Sequence, residues 1–326
     1  MRGPTLIRAA RVRNPIAAEP MQGAMSARIR LKRPIHTLRP GTEAWPTALA
    51  DLRDSPEQLF VAGSLPVSDR AVAIVGTRYA DEDGLQFTRQ LARELSRAGA
   101  VIVSGGAAGI DSAAHLGALD AGGKTVAVLA TGLIDAYPKQ NASLFATIAE
   151  TGALVCETEG RCANGGWIFL RRNRLIAALA QTVVVVQAPH RSGALATARV
   201  ARLLKRRVFA VPSAPWNVRG TGCLQLLRSG AEICASAADI LSLPTRVLGG
   251  RSAESQGPVK DANDLNSLGS GAQTVWKHLR WGPCHPDGIA AALDMKAAEV
   301  QEALLTLVLC GLCRQRADGN YVASGS

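Results

Sequence analysis

The sequence predicts an α/β fold: a doubly wound parallel sheet followed by a small C-terminal winged-helix domain. Three observations predict it. From residue 71 short apolar runs, several ending at glycine, alternate with amphipathic segments of about ten residues, the pattern of parallel strands and crossover helices. Residues 245–271 are rich in Pro, Gly, Ser, Asn and Asp and lack hydrophobic periodicity, as a linker does. Beyond it, three helical segments are closed by an Asp318-Gly319-Asn320 turn that suits a β-hairpin.

In chain order, Ala71–Val75 reads as a strand ending at Gly76, Leu85–Ala98 as a helix, and Val101–Val103 as a strand running into Ser104-Gly105-Gly106. Ile110–Ala121 reads as a helix with Asp111 in its first turn, where a carboxylate suits the helix dipole. Thr125–Ala130 is a strand, Asn141–Glu150 a helix and Ala153–Cys156 a strand. Arg172–Ala180 and Gly193–Leu204 read as helices, Thr182–Gln187 and Arg207–Val211 as strands. The last unit reads as helices over Thr274–Leu279, Gly288–Leu293 and Ala297–Leu309, then a hairpin over Cys313–Val322. The expected organisation is a basic, disordered leader over 1–40, a core over 41–244, the linker over 245–271 and the winged helix over 272–326.

At 326 residues and 47% hydrophobic composition the chain supports a sizeable core. No apolar run approaches the ~18 residues of a membrane span, so no membrane partner is expected. The net charge of +11 is unevenly spread, since residues 1–40 hold nine Lys/Arg against one acid. The pI of 9.8 therefore does not by itself indicate nucleic acid. The leader lacks the apolar stretch of a secretory signal. It resembles an organelle transit peptide in composition, and the plainer reading is an arm, or an upstream start with Met21 or Met25 as the true one. Seven scattered cysteines are no disulfide framework and fit a reducing, cytoplasmic setting.

In a doubly wound sheet ligands sit beyond the carboxyl ends of the strands. There the sequence places Gly76-Thr77-Arg78, Ser104-Gly105-Gly106, Tyr137-Pro138-Lys139-Gln140-Asn141 and Arg191-Ser192-Gly193. Glycines let a backbone approach a ligand, and helix N-termini present N–H groups to an anion, so the rim reads as a phosphate site with Arg78, Lys139 and Arg191 as cations. The turn at Ser104–Gly106 is expected to take a phosphate on its N–H groups. No Gly-x-Gly-x-x-Gly fingerprint and no P-loop Gly-Lys-Ser/Thr occur, which disfavours a conventional dinucleotide site and ATP-driven chemistry. No cofactor and no metal are expected. Cys310, Cys313, Cys284 and His285 have zinc-ligand chemistry, but Cys310 and Cys313 end an apolar helix, where buried small hydrophobes fit.

Taken together the stretches are specific. Val72-Ala-Ile-Val-Gly-Thr-Arg78, Ser104-Gly-Gly-Ala-Ala-Gly-Ile-Asp-Ser-Ala-Ala-His115, Tyr137-Pro-Lys-Gln-Asn141, Arg172-Asn-Arg-Leu-Ile-Ala177, Arg191-Ser-Gly-Ala-Leu-Ala-Thr-Ala198 and Val208-Phe-Ala-Val-Pro212 occur in the order and spacing of one family. Over residues 45–244 the chain resembles the DNA-processing protein A (DprA, or Smf) family of bacteria, and residues 272–323 resemble that family's winged helix. The resemblance implies an extended Rossmann-like core that binds single-stranded DNA without catalysis. It also implies loading of a RecA-type recombinase during natural transformation, and homodimer formation. DNA-binding residues implied by the match are Gly76, Arg78, Ser104, Gly105, Gly106, Lys139, Asn141, Arg172, Arg174, Ser192 and Gly193. Arg172 or Arg174 is equally suited to burial against the sheet, holding a carboxylate such as Glu157. Tyr79, Tyr137, Trp167 and Trp216 suit either stacking on bases or packing loops onto the core.

The chain departs from the family pattern in places. Asp81-Glu82-Asp83 stands where small or hydroxyl residues are usual, and is expected to start a helix and suit its dipole. Gln187 replaces a common Glu, Leu170 a common Pro, and Asp135 comes one place late. Residues 1–40, short and basic, are not expected to form the helical domain that precedes the core in many relatives. Two other functions remain open: a sensor of small nucleotides, and a nucleotide phosphoribohydrolase with Asp111 and His115 as an acid–base pair at i, i+4. Such hydrolases carry a Pro-Gly-Gly-x-Gly-Thr run that is missing here, so Asp111 is expected as a helix-start carboxylate and His115 as a packed side chain. The basic run Arg199, Arg202, Lys205, Arg206, Arg207 suits either an extended DNA track or a solvated helix face. The last helix carries Lys296, Glu299 and Glu302 rather than the base-reading residues of a groove helix, so the winged helix is expected to contact protein or pack on its own core.

Overall fold

The computed structural model describes residues 27–66, 68–158, 167–190, 192–242, 268–280, 282–310, 312–316 and 319–323. Arg191, Cys162, Met21, Met25, Asp318, the side chain of Trp167 and most of the expected linker lie outside the described residues.

Apolar runs become strands where they are buried on both faces. β4 (Ala71–Val75), β5 (Val101–Ser104), β6 (Thr125–Leu129), β8 (Ala153–Cys156), β9 (Thr182–Val185) and β10 (Arg207–Ala210) form the parallel centre of the sheet. Short β11 (Glu232–Ile233) closes one side, and β3 (Leu59–Gly63) and β2 (Ile35–Leu38) the other. Among the described residues the sheet has nine strands in the order β11-β10-β9-β4-β5-β6-β8-β3-β2. Helices α1 (Glu82–Arg97), α2 (Ile110–Asp120) and α3 (Ala142–Thr151) cover one face, where Leu91, Ile110 and Phe145 are buried. Helices α4 (Trp167–Ala178), α5 (Gly193–Leu203) and α6 (Thr221–Arg228) cover the other, burying Leu175, Ala198 and Cys223. Successive strand residues serve opposite faces: Val126 and Val128 join the α4–α6 core, Ala127 and Leu129 the α3 core. A short α7 (Ala238–Leu241) packs Ile240 into the α1–α2 core.

The N-terminal side differs from expectation. Residues 27–40 belong to the body rather than to a leader. β1 (Ala27–Arg28) pairs antiparallel with β7 (Asp135–Ala136), β2 is an edge strand, and β3 inserts antiparallel between β2 and β8. The basic side chains of this stretch lie at the surface while Ile29 and Leu38 are buried, so composition hid the strands.

The C-terminal unit packs α8 (Ser270–Leu279), α9 (Pro286–Leu293) and α10 (Ala297–Leu309) against a hairpin of β12 (Cys313–Gln315) and β13 (Tyr321–Ala323). Cys310 and Cys313 are buried in its apolar core as small hydrophobes, and burial pushes the Cys313 thiol up to about 12. Among the described residues no helix is long and apolar enough to cross a membrane.

Candidate nucleic-acid interface

Chain order reverses between β4 and β9, which lie side by side, so the crevice beyond their carboxyl ends is the topological switch point. The β4–α1 loop crosses it. Gly76 is required there, because a Cβ would lie 2.5 Å from Ile110 Cγ1 and 2.9 Å from Gln187 O. The Gly76→Ala variant is therefore expected to lose about 1–3 kcal/mol by overpacking. Thermal melting reads that loss, and oligonucleotide binding reads the displacement of Arg78.

Two departures from the family pattern fit one another. Gln187 Nε2 donates to Asp81 Oδ1 at 2.7 Å, and Asp81 N donates to Gln187 Oε1 at 3.2 Å. The same carboxylate caps α1, accepting from Gly84 N at 2.9 Å, and that bond above all holds Asp81 below its usual range. Asp81 is the helix cap, with Glu82 and Asp83 in the first turn, as expected. A Gln187→Glu variant sets a second carboxylate against Asp81. We expect it to melt earlier at pH 7 by about 1–3 kcal/mol, and an added Asp81→Ser change to restore part of the loss.

The Ser104–Gly106 turn corrects an expectation. Gly105 N and Ala107 N donate inward to Asp111 Oδ2, at 3.1 and 3.3 Å, so a side-chain carboxylate already occupies the place in which a phosphate was expected. The turn is tied from beneath at its carbonyls as well. Arg172 Nη1 donates to Gly105 O at 2.5 Å and to Val128 O, and Asn141 Nδ2 donates to Gly106 O at 2.9 Å and Ser112 Oγ at 2.8 Å. Ser104 Oγ donates to Ile74 O at 2.6 Å from a fully buried position. Burial raises Asp111 and pulls Arg172 down to about 10, each partner's charge opposing the other's shift.

The arginines of the Arg-Asn-Arg motif are inside. Arg174 is 1% exposed and donates to Glu157 Oε1 at 2.7 Å, with Asp54 Oδ2 at 3.6 Å; Arg171 shares Glu157 at 2.8 Å. Glu157 is thus the carboxylate that the sequence offered to this motif. Arg172, Arg174, Ser104 and Asn141 set the shape of the rim rather than its surface.

What faces outward is smaller. Arg78 and Lys139 are exposed. The Arg78 guanidinium lies 5.2 Å from the centroid of the Phe169 ring, within cation–π reach. That ring meets Tyr137 at a centroid distance of 5.4 Å, with the planes tilted by 46°. Two residues on, Lys139 opens the turn Lys139–Asn141, whose Asn141 holds the glycine turn. Two loops and the first turn of α4 therefore bring two cations and two half-buried rings to one rim. Sequence reasoning missed Phe169 because it began α4 at Arg172; the helix starts at Trp167 and places Phe169 in its first turn. Ser192 stands at the N-terminal position before α5 in extended backbone, its hydroxyl making no capping hydrogen bond, beside exposed Gly193, where a Cβ would meet only Asn173 Nδ2 at 3.8 Å.

His115 is no acid–base residue. Thr125 Oγ1 donates its proton to Ile102 O at 2.8 Å. It therefore accepts from His115 Nδ1, also at 2.8 Å, which assigns the ring proton to Nδ1. Burial lowers the ring's pKa to about 3, and it is neutral at pH 7. Between about 3 and 6.5 the unfolded chain binds the proton that the folded chain refuses. Stability is therefore full above pH ~6.5 and falls on acidification by up to about 1.4 kcal/mol per pH unit. Denaturant titrations from pH 7 to 5 check this, and a His115→Gln variant flattens the slope.

The basic run at the far end of α5 serves internal ties. Arg206 pairs with Asp51 at 2.6 Å, Arg207 with Glu232, and Arg202 Nη2 donates to Leu226 O at 3.2 Å. It cannot extend the rim, since the N-terminus of α5, not its C-terminus, lies at the carboxyl edge. Arg199 instead reaches Glu302 Oε1 at 3.1 Å and Thr306 Oγ1 at 3.2 Å on α10, and Arg53 donates to Cys310 O. The winged helix thus seats against the α4–α5 face the helix that would enter a groove.

Residues 36–244 match the family model described as DNA recombination-mediator protein A, and residues 260–319 match the DprA winged helix domain. Protein Smf of Synechocystis sp. is 39% identical over 210 residues, covering 63% of this chain and 53% of that one, so the chain spans about half the length of that relative. The DNA processing protein DprA of Bacillus subtilis is 36% identical over 215 residues, covering 65% and 72%. The X-ray structure of DNA processing protein A from Streptococcus pneumoniae aligns with a TM-score of 0.59 at 35% identity, over 65% of this chain and 74% of that one. A structure of the Helicobacter pylori protein, reported for its single-stranded DNA binding mode, aligns at 0.57 and 32% identity over 66% and 96%. With the model matching most of the α/β body and relatives sharing more than a third of its residues, the chain belongs to the DNA recombination-mediator protein A family.

Proposed function

We propose that the chain is a non-catalytic, cytoplasmic, single-strand-selective DNA-binding protein. It acts as a homodimer, shields incoming DNA and helps load a RecA-type recombinase during natural transformation. The observation that carries this reading is the rim of Arg78, Phe169, Tyr137 and Lys139 at the switch point. Cations beside rings suit a strand whose phosphates are neutralised and whose bases stack, with no reading of base edges. The H. pylori relative's single-strand binding supports it. Against a phosphoribohydrolase stand the neutral, buried His115 and an Asp111 already engaged by two N–H groups.

The test is binding of labelled oligo-dT of increasing length, beside duplex DNA and mononucleotides. Affinity that grows with length and exceeds duplex affinity is expected. Saturable mononucleotide binding with a constant indifferent to length would establish the small-nucleotide sensor instead.

A further inference from the structure

Two large rings stand outside the Arg78–Phe169–Tyr137 cluster. Tyr79 is 76% exposed and Trp216 85% exposed. Aromatic side chains gain most from burial, so neither ring is packing a loop onto the body. Both stand at the carboxyl edge: Tyr79 directly after Arg78, Trp216 in the loop after β10, which is two strands from β4. The two loops are fastened together. Arg219 Nε donates to Tyr79 O at 2.9 Å, Asn217 Oδ1 accepts from Arg219 N at 3.0 Å, and Asn217 and Arg219 both help to hold the Asp81 carboxyl below its usual range. Val218, 70% exposed, lies between them in sequence. Single exposed apolar residues are ordinary on protein surfaces. Two rings on loops tied to each other, with Arg78 and Arg219 adjoining, make a fixed constellation.

We propose that Tyr79 and Trp216 form a second stacking platform for bases of single-stranded nucleic acid, continuing the path from Arg78 toward the β10 edge. The proposal rests on the single-strand reading above and extends it. Every base has a π face, so such a platform adds affinity without sequence preference. The Nε of Arg219 is spent on Tyr79 O, which orients the guanidinium and leaves its terminal N–H donors for a phosphate. Glu82 and Asp83, exposed in the first turn of α1, oppose a purely electrostatic track here, so the rings carry this segment.

The experiment compares wild type with a Tyr79→Ser/Trp216→Ser variant on short (about 5 nt) and long (about 20 nt) oligo-dT and on a long abasic chain. Substitutions at positions this exposed leave the melting temperature unchanged. Expected is a loss of roughly tenfold per ring on long oligo-dT, with no change on short oligomers or the abasic chain. Trp216→Phe in a wild-type background retains most of the affinity. Equal binding of long oligo-dT by variant and wild type, or an equal loss on the abasic chain, overturns the platform. If Arg78→Ala/Lys139→Ala still cripples binding in that case, the single-strand reading survives. A wild type that binds no oligomer removes both.

Discussion

Replacing Arg172 by methionine is expected to cost about 3–5 kcal/mol of stability. That corresponds to a fall in melting temperature on the order of 10 °C. The cost arises because the guanidinium, which also donates to Asn173 Oδ1 at 3.2 Å, serves three further partners at once. It is the countercharge of buried Asp111 and the donor to Gly105 O and Val128 O. Methionine fills the space but leaves a carboxylate in the interior without its cation and two carbonyls without a donor. An Asp111→Asn/Arg172→Met double variant is expected to recover part of the loss, since an amide carries no charge to be left unpaired. Thermal melts of the three proteins decide it. A double variant as unstable as the single would show that the carbonyl bonds, not the charge pair, dominate.

The second large effect falls on binding and leaves the fold alone. Arg78 and Lys139 are both exposed. Removing both is expected to weaken oligo-dT binding about tenfold to a hundredfold at low salt with an unchanged melting temperature. Phe169→Leu is a milder version: it keeps an apolar residue under Arg78 but removes the ring that orients the guanidinium and meets Tyr137.

The parallel sheet was legible because its strands are short apolar runs buried on both faces; Ala71–Val75 and Ala153–Cys156 emerge at their predicted limits. Asp81 was legible as a helix start because capping is a local, short-range signal. Residues 27–40 were not, because an edge strand such as Ile35–Leu38 is only partly buried and its neighbours are basic. Nor does order along the chain reveal that Leu59–Gly63 inserts antiparallel beside β8. At the rim, motif identity named Arg78, Arg172 and Arg174 alike. Which arginine turns inward depends on helix phase against the sheet, a tertiary fact. The same holds for Asp111: helix-start carboxylates are readable, but not that this one folds back onto the glycine turn and takes up its N–H groups.

On the proposed reading Arg78 and Lys139 meet phosphates while Arg172 only shapes the rim. The most direct test is the salt dependence of oligo-dT binding for wild type, Arg78→Ala/Lys139→Ala and Arg172→Met, measured below the melting range of each. Each phosphate neutralised on a single strand contributes roughly 0.7 to the slope of log affinity against log salt. Expected are a slope shallower by about 1.4 for the Arg78/Lys139 variant and a wild-type slope for Arg172→Met. A wild-type slope in the first, or a reduced slope in the second, would contradict it.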